Sequence, residues 1–111
     1  MAASVNTSGS QTCTISTEHT LATITTAGVY QLALDLNALA DGTTPDILTV
    51  KLYTKCRSSD TERLSESWEF IGAQGKPNWR SNPELSPHHV KFTITQSAGT
   101  GRDVPWAVYQ A

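Results

Sequence analysis

Two adjacent histidines, His88 and His89, are the residues of this chain best suited to chemistry. Imidazole pairs serve as metal ligands or as general acid and base. Neighbours along a strand point to opposite faces, so these two do not easily share one ion. A third ligand, such as His19, would have to arrive from a distant segment. Cys13 and Cys56 add two thiols, but two cysteines and three histidines at irregular spacing do not make a zinc pattern. Nucleophilic catalysis needs its nucleophile on a strained turn with a base beside it. Both cysteines sit in strand-like sequence, and no Gly-x-Ser-x-Gly elbow occurs. Glu62, Glu66 and Glu69 lie on or near one strand, and Glu66 shares the parity of Trp68, which places it at a sheet rim or interface. Gly99-Thr100-Gly101-Arg102 joins two strands rather than opening a helix, so it lacks the helix N-terminus that binds phosphate. The expectation is no catalytic residue, no metal and no cofactor.

Binding residues are easier to find. Trp79 and Arg80 stand in a proline-rich stretch between Asn78 and Asn82. Tryptophan and arginine are the side chains most enriched at interaction hot spots, and an indole also stacks on sugar rings. Trp79 is equally able to fold over the end of the domain. Trp68 and Trp106 have inward parity and read as core.

The elements that must position these residues are strands. Residues 90–96 alternate, with Val90, Phe92 and Ile94 on one face and Lys91, Thr93 and Thr95 on the other. Residues 29–36 place Tyr30, Leu32, Leu34 and Leu36 together. Residues 47–56 turn Leu48, Val50, Leu52 and Cys56 inward, and residues 63–72 return with Leu64, Trp68 and Phe70 on one side. Together, 47–72 read as a long β-hairpin. Residues 11–16 form a strand with Cys13 and Ile15 on one face. In residues 20–25, Leu21 and Ile24 fall out of phase, which predicts a bulge or an edge position. Residues 37–42 are too short for more than one helical turn. Residues 73–87 carry three prolines and no periodicity, so they are expected to be a loop. The last strand, 104–109, has Pro105 on its outward face, which predicts a sheet edge or a strand start.

The result is a single all-β domain over residues 11–111: an antiparallel sandwich or jelly-roll-like fold of seven or eight strands. Residues 1–10 are small and polar and are expected to be a flexible arm. Threonine-rich composition and 16% charged residues agree with pleated, half-exposed surfaces. Net charge is −2 and no basic run occurs, which argues against nucleic-acid binding. No apolar stretch is long enough to span a membrane as a helix. The first ten residues lack the basic and apolar regions of a signal peptide, so folding in a cytoplasm is expected. There, free thiols are expected, although two strands can bring Cys13 and Cys56 together.

Three stretches share a familiar layout. They are Thr14-Ile15-Ser16-Thr17-Glu18-His19-Thr20-Leu21-Ala22, Gly28-Val29-Tyr30-Gln31-Leu32-Ala33-Leu34-Asp35-Leu36-Asn37-Ala38-Leu39 and Gln96-Ser97-Ala98-Gly99-Thr100-Gly101-Arg102-Asp103-Val104-Pro105-Trp106. Over residues 12–109 this pattern resembles small β-sandwich virion proteins of tailed bacteriophages. The resemblance implies a structural role in the virion: a head decoration (cement) protein, or a tail or connector component. It implies a major capsid protein or another virion protein as partner, and a homo-oligomer, with trimers matching capsid threefold positions. It supplies no catalytic residues. Residues 1–16, with Val5, are expected to join the lattice contact, and Trp79, Arg80 and Asn82 to face a partner. The competing expectation is a carbohydrate-binding or host-recognition module that uses Trp79, Arg80 and Asn78 or Asn82 as its platform.

Overall fold

A computed structural model of the chain describes residues 4–111. It contains nine strands: β1 (Ser4–Thr12), β2 (Glu18–Ile24), β3 (Gly28–Asp35), β4 (Ile47–Thr54), β5 (Arg63–Ile71), β6 (Asn78–Arg80), β7 (Glu84–Ser86), β8 (Val90–Ala98) and β9 (Asp103–Gln110). One sheet, A, has the order β1-β9-β3-β6, with β7 also on β3; the other, B, has the order β2-β8-β4-β5. Every pairing is antiparallel.

The pairs β4:β5, β3:β6/β7, β2:β8 and β1:β9 make one long hairpin. Its tip is the β4–β5 loop, and successive rungs fall alternately in sheet B and sheet A. That is a jelly-roll wrap, in which one edge strand of sheet A is split into two short pieces, β6 and β7. Period-two patterns do not encode this pairing order, but they do encode the faces. Tyr30, Leu32, Leu34 and Leu36 from β3 and its end meet Leu48, Val50 and Leu52 from β4, with Val90, Phe92 and Ile94 of β8 and Val104 and Val108 of β9 between them. Each such side chain contributes roughly 1.5–3 kcal/mol of transfer free energy on burial. The Tyr30 hydroxyl reaches the β2–β3 turn and donates to the Thr26 carbonyl at 2.6 Å, so the largest buried side chain is also satisfied.

Four expectations need correction. Of the residues read as an arm, 1–3 lie outside the described residues, and 4–10 are strand, hydrogen-bonded to β9. Almost every β1 residue is exposed on both faces, so no apolar alternation announced it. The strand expected over 11–16 ends at Thr12. Cys13 is buried, but Ile15 is exposed and Ser16 turns the chain with φ 64°. β4 ends at Thr54, before Cys56, which is therefore exposed rather than inward. The loop at 73–87 holds β6 and β7, three residues each, both on the edge of β3. Prolines prevent a continuous strand there without preventing short ones.

One irregularity falls where the sequence places it and a second does not. The β2–β8 register shifts between Thr20 and Ala22, and β2 is a sheet edge. Pro105, expected at a sheet edge or a strand start, instead lies inside β9, an interior strand that begins at Asp103. It is tolerated because β3 stops pairing with β9 at Trp106, so no strand needs the amide hydrogen that proline lacks.

At one end of the sandwich the loops are tied together by Asp46, which is 1% exposed. Its carboxylate accepts from the Ala40 and Thr100 amides (2.9 and 3.0 Å), from Gln96 Nε2 (3.3 Å) and from Arg102 Nε (2.8 Å). Burial alone would raise this carboxyl's pKa. The two amides and the Arg102 guanidinium outweigh burial and hold it below the ordinary value. Gly99, at φ 85°, passes so close that a β-carbon there would collide with the Asp46 carboxylate.

Candidate interaction surface

The outer face of sheet A is built from residues of one parity on four strands. Directly opposed residues share a face, so Val5 stands beside Tyr109, Ser8 beside Ala107, Ala107 beside Ala33, and Ala33 beside Arg80. Small alanines in the middle leave a shallow groove of about 310 Å³. Asp35, Asn78, Arg80, Pro105, Trp106 and Tyr109 are among the residues that line it. The Arg80 guanidinium carbon lies 5.4 Å from the centre of the Tyr109 ring, across the alanine floor. Arg80 forms no ion pair among the described residues. A guanidinium held on an aromatic face keeps its fork of donors free for a carboxylate or a carbonyl. Asp35 is partly engaged, because its carboxylate accepts from the Asn37 amide at 3.0 Å.

The residues expected to bind are divided by the structure. Val5, 56% exposed, and Arg80 share this face. Trp79 borders the same groove, but its ring is engaged elsewhere. Opposed to the buried Leu34, it turns inward and packs edge-on against Trp68 (5.1 Å between ring centres) and Phe70 (5.2 Å) of β5. Trp79 closes the side of the sandwich where β6 faces β5. Asn82 is exposed in the β6–β7 connection and is not among the residues lining the groove. Tyr109 is the aromatic residue that takes the platform position. Its signal was present in the sequence, as an aromatic residue in phase with Pro105 on the outward side of the last strand.

The outer face of sheet B is polar and internally paired. Glu18 accepts from Tyr53 Oη (2.7 Å) and Thr93 Oγ1 (2.6 Å). Glu62 contacts Lys91 Nζ (2.5 Å) and His89 Nε2 (2.6 Å), and Lys91 lies over the Tyr53 ring. The hydrogen bonds from Thr93 and Tyr53 hold the Glu18 carboxyl below its usual range, and Lys91 does the same for Glu62. The bond to Glu18 pushes the Tyr53 hydroxyl up to about 12. Both carboxyls therefore stay ionised and the phenol stays protonated near neutral pH, which suits none of the three to proton transfer there.

The three histidines are separate. His19 accepts from the Thr14 amide at 3.0 Å, His89 bonds Glu62, and His88 lies before β8. Among the described residues no group of three or more His, Cys, Asp or Glu could hold a metal ion. Cys13 is buried and Cys56 exposed, and they are unpaired. Burial, aided by the Asp103 charge, pushes the Cys13 thiol up to about 11. A second hollow, about 600 Å³, lies under the β4–β5 loop beside Cys56. Its carboxylate, Asp60, is already bound by the Arg57 side chain and amide. No family model, curated protein or solved structure matches the chain.

Proposed function

We propose that the protein is a non-enzymatic structural component of a tailed-bacteriophage virion, a head decoration (cement) protein that docks on the major capsid protein through the outer face of sheet A. The observation that carries this reading is the Arg80–Tyr109 pair on a flat strand face beside exposed Val5. An unpaired guanidinium fixed on an aromatic ring, next to an exposed apolar residue, has the composition of an interface centre rather than of a solvated sheet. The molecule is also thin, 44 × 31 × 18 Å, so one sheet face is a large fraction of its surface. Repeated flat contacts of this kind suit a homo-oligomer or array on a symmetric particle, assembled in the host bacterial cytoplasm. The pattern resemblance over residues 12–109 supports a virion role. A tail or connector site would use the same surface.

The second reading is a carbohydrate-binding or host-recognition module. The groove favours it, because Tyr109, Asn78 and Asp35 together offer a stacking ring and hydrogen-bonding groups. Tyr109, not Trp79, is then the stacking residue. Co-sedimentation of the purified protein with phage heads separates the two. Saturable binding that drops at least tenfold in Arg80→Ala supports decoration. Absence of head binding, together with saturable glycan binding lost in Tyr109→Ala, supports the second reading and refutes the first.

A further inference from the structure

We infer that β1 is a self-pairing edge: two copies of this chain join antiparallel through β1 and continue sheet A across a twofold axis. A sheet edge presents unpaired backbone donors and acceptors, and proteins protect such edges with charge, proline, bulges or short strands. Three of the four edges here are protected. β5 carries Arg63, Glu66 and Glu69 and has a register shift opposite Leu52 and Tyr53. β2 is seven residues long, begins with Glu18 and His19, and is bulged near Leu21. β6 and β7 are three residues each, with Pro83 between them. β1 is nine residues, Ser-Val-Asn-Thr-Ser-Gly-Ser-Gln-Thr, with no charge and no proline. Its pairing is regular from Thr7 to Thr12, beyond the one irregularity at Asn6.

The phase of this edge follows from one hydrogen bond. The Cys13 amide donates to the Arg102 carbonyl at 2.9 Å. Bonded and non-bonded pairs alternate along an antiparallel ladder. Gln11, Gly9 and Thr7 therefore bond β9, while Thr12, Ser10 and Ser8 turn their N–H and C=O groups outward. The Gln11 side chain donates to the Thr12 carbonyl at 2.9 Å and closes that end. Ser8 and Ser10 remain open.

A second copy fits these two residues. With Gly9 on the twofold axis, Ser8 of one copy opposes Ser10 of the other, and both pairs bond reciprocally. No like charges meet, because β1 has none, and an isologous contact closes at two copies. Gly9 also brings the Trp106 indole to the seam: a β-carbon there would lie 3.2 Å from the ring. The indoles of both copies then cover the paired glycines from the inner side. This contact is independent of what the outer face of sheet A binds.

The test is the mass of the full chain by sedimentation equilibrium, from low micromolar to near-millimolar concentration. Ser10→Pro removes one outward N–H and leaves the ladder to β9 intact. A Ser8→Lys, Ser10→Lys double variant places like charges across the seam on an exposed face. The expected result is a concentration-dependent doubling of mass in the parent chain. Both variants are expected to stay at single-chain mass, with parental unfolding curves. A parent chain that stays monomeric throughout, forms trimers, or forms dimers that survive both variants would overturn the inference.

Discussion

Replacing Asp46 by alanine is expected to be among the most damaging single substitutions in this chain, although the residue touches no ligand surface. The change leaves the Arg102 guanidinium, two backbone amides and the Gln96 amide without their common acceptor. Breaking a buried ion pair by removing one partner costs about 3–5 kcal/mol. Arg102 is one-third exposed and regains some hydration, which favours the lower part of that range. The orphaned Ala40 and Thr100 amides act in the other direction, at about 1–3 kcal/mol for each donor that water does not reach. A loss near 4 kcal/mol is a large share of the roughly 5–15 kcal/mol that stabilises a domain. It lowers Tm by more than about 10 °C at this size. Urea and thermal unfolding followed by circular dichroism measure it. Acid gives a second, independent check. The folded-state pKa of Asp46 lies below its unfolded value near 3.9, so its contribution is complete above that pH and is lost as pH falls through the folded value. The parent chain therefore approaches the stability of Asp46→Asn in acid, and the two differ most near neutral pH. An Asp46→Ala protein within about 1 kcal/mol of the parent would refute the reasoning, because that is the effect of an ordinary surface change.

Four other outcomes follow from the same structure. Trp79→Ala removes the edge-on contacts to Trp68 and Phe70 and is expected to cost about 2–4 kcal/mol in urea unfolding, below the fully buried range because the ring is half-buried. Arg80→Ala is expected to stay within about 0.5 kcal/mol. Under native conditions a maleimide should modify Cys56 rapidly and Cys13 only on unfolding, as read by mass spectrometry, since Cys13 is buried and its thiol is pushed up to about 11. Burial and the neighbouring Glu66 raise the Glu84 carboxyl, so its ionised form opposes folding near neutral pH. Glu84→Gln should therefore raise Tm near neutral pH, and the gain should shrink as acid protonates Glu84 in the parent chain.

Much of this fold is written in alternation, and the unread parts have physical causes. β3, β4 and β8 are buried on one face, so Leu32, Val50 and Phe92 appear at period two and the inner face is legible. β1 has no buried face, so residues 4–10 carry no such signal and read as an arm. β6 and β7, at three residues each, are too short for alternation to mark them, and only their pairing with β3 makes them strands. The inward turn of Trp79 and the outward turn of Arg80 depend on that pairing as well. In the absence of a register, neighbouring residues in a proline-rich stretch have no defined faces. Asp46 was invisible for a different reason. Its partners come from residues 40, 96, 100 and 102, which only the closed sandwich brings together. The exposed position of Cys56 follows from a strand that ends two residues early, a boundary that alternation does not mark.

The most direct test of the proposed role is an electron cryomicroscopy reconstruction of phage heads incubated with the purified protein. The prediction is extra density at symmetry-related positions, with the outer face of sheet A against the head and Arg80, Tyr109 and Val5 buried at the contact. Heads without added density, or density that contacts the head through sheet B and leaves Arg80 in solvent, would contradict it.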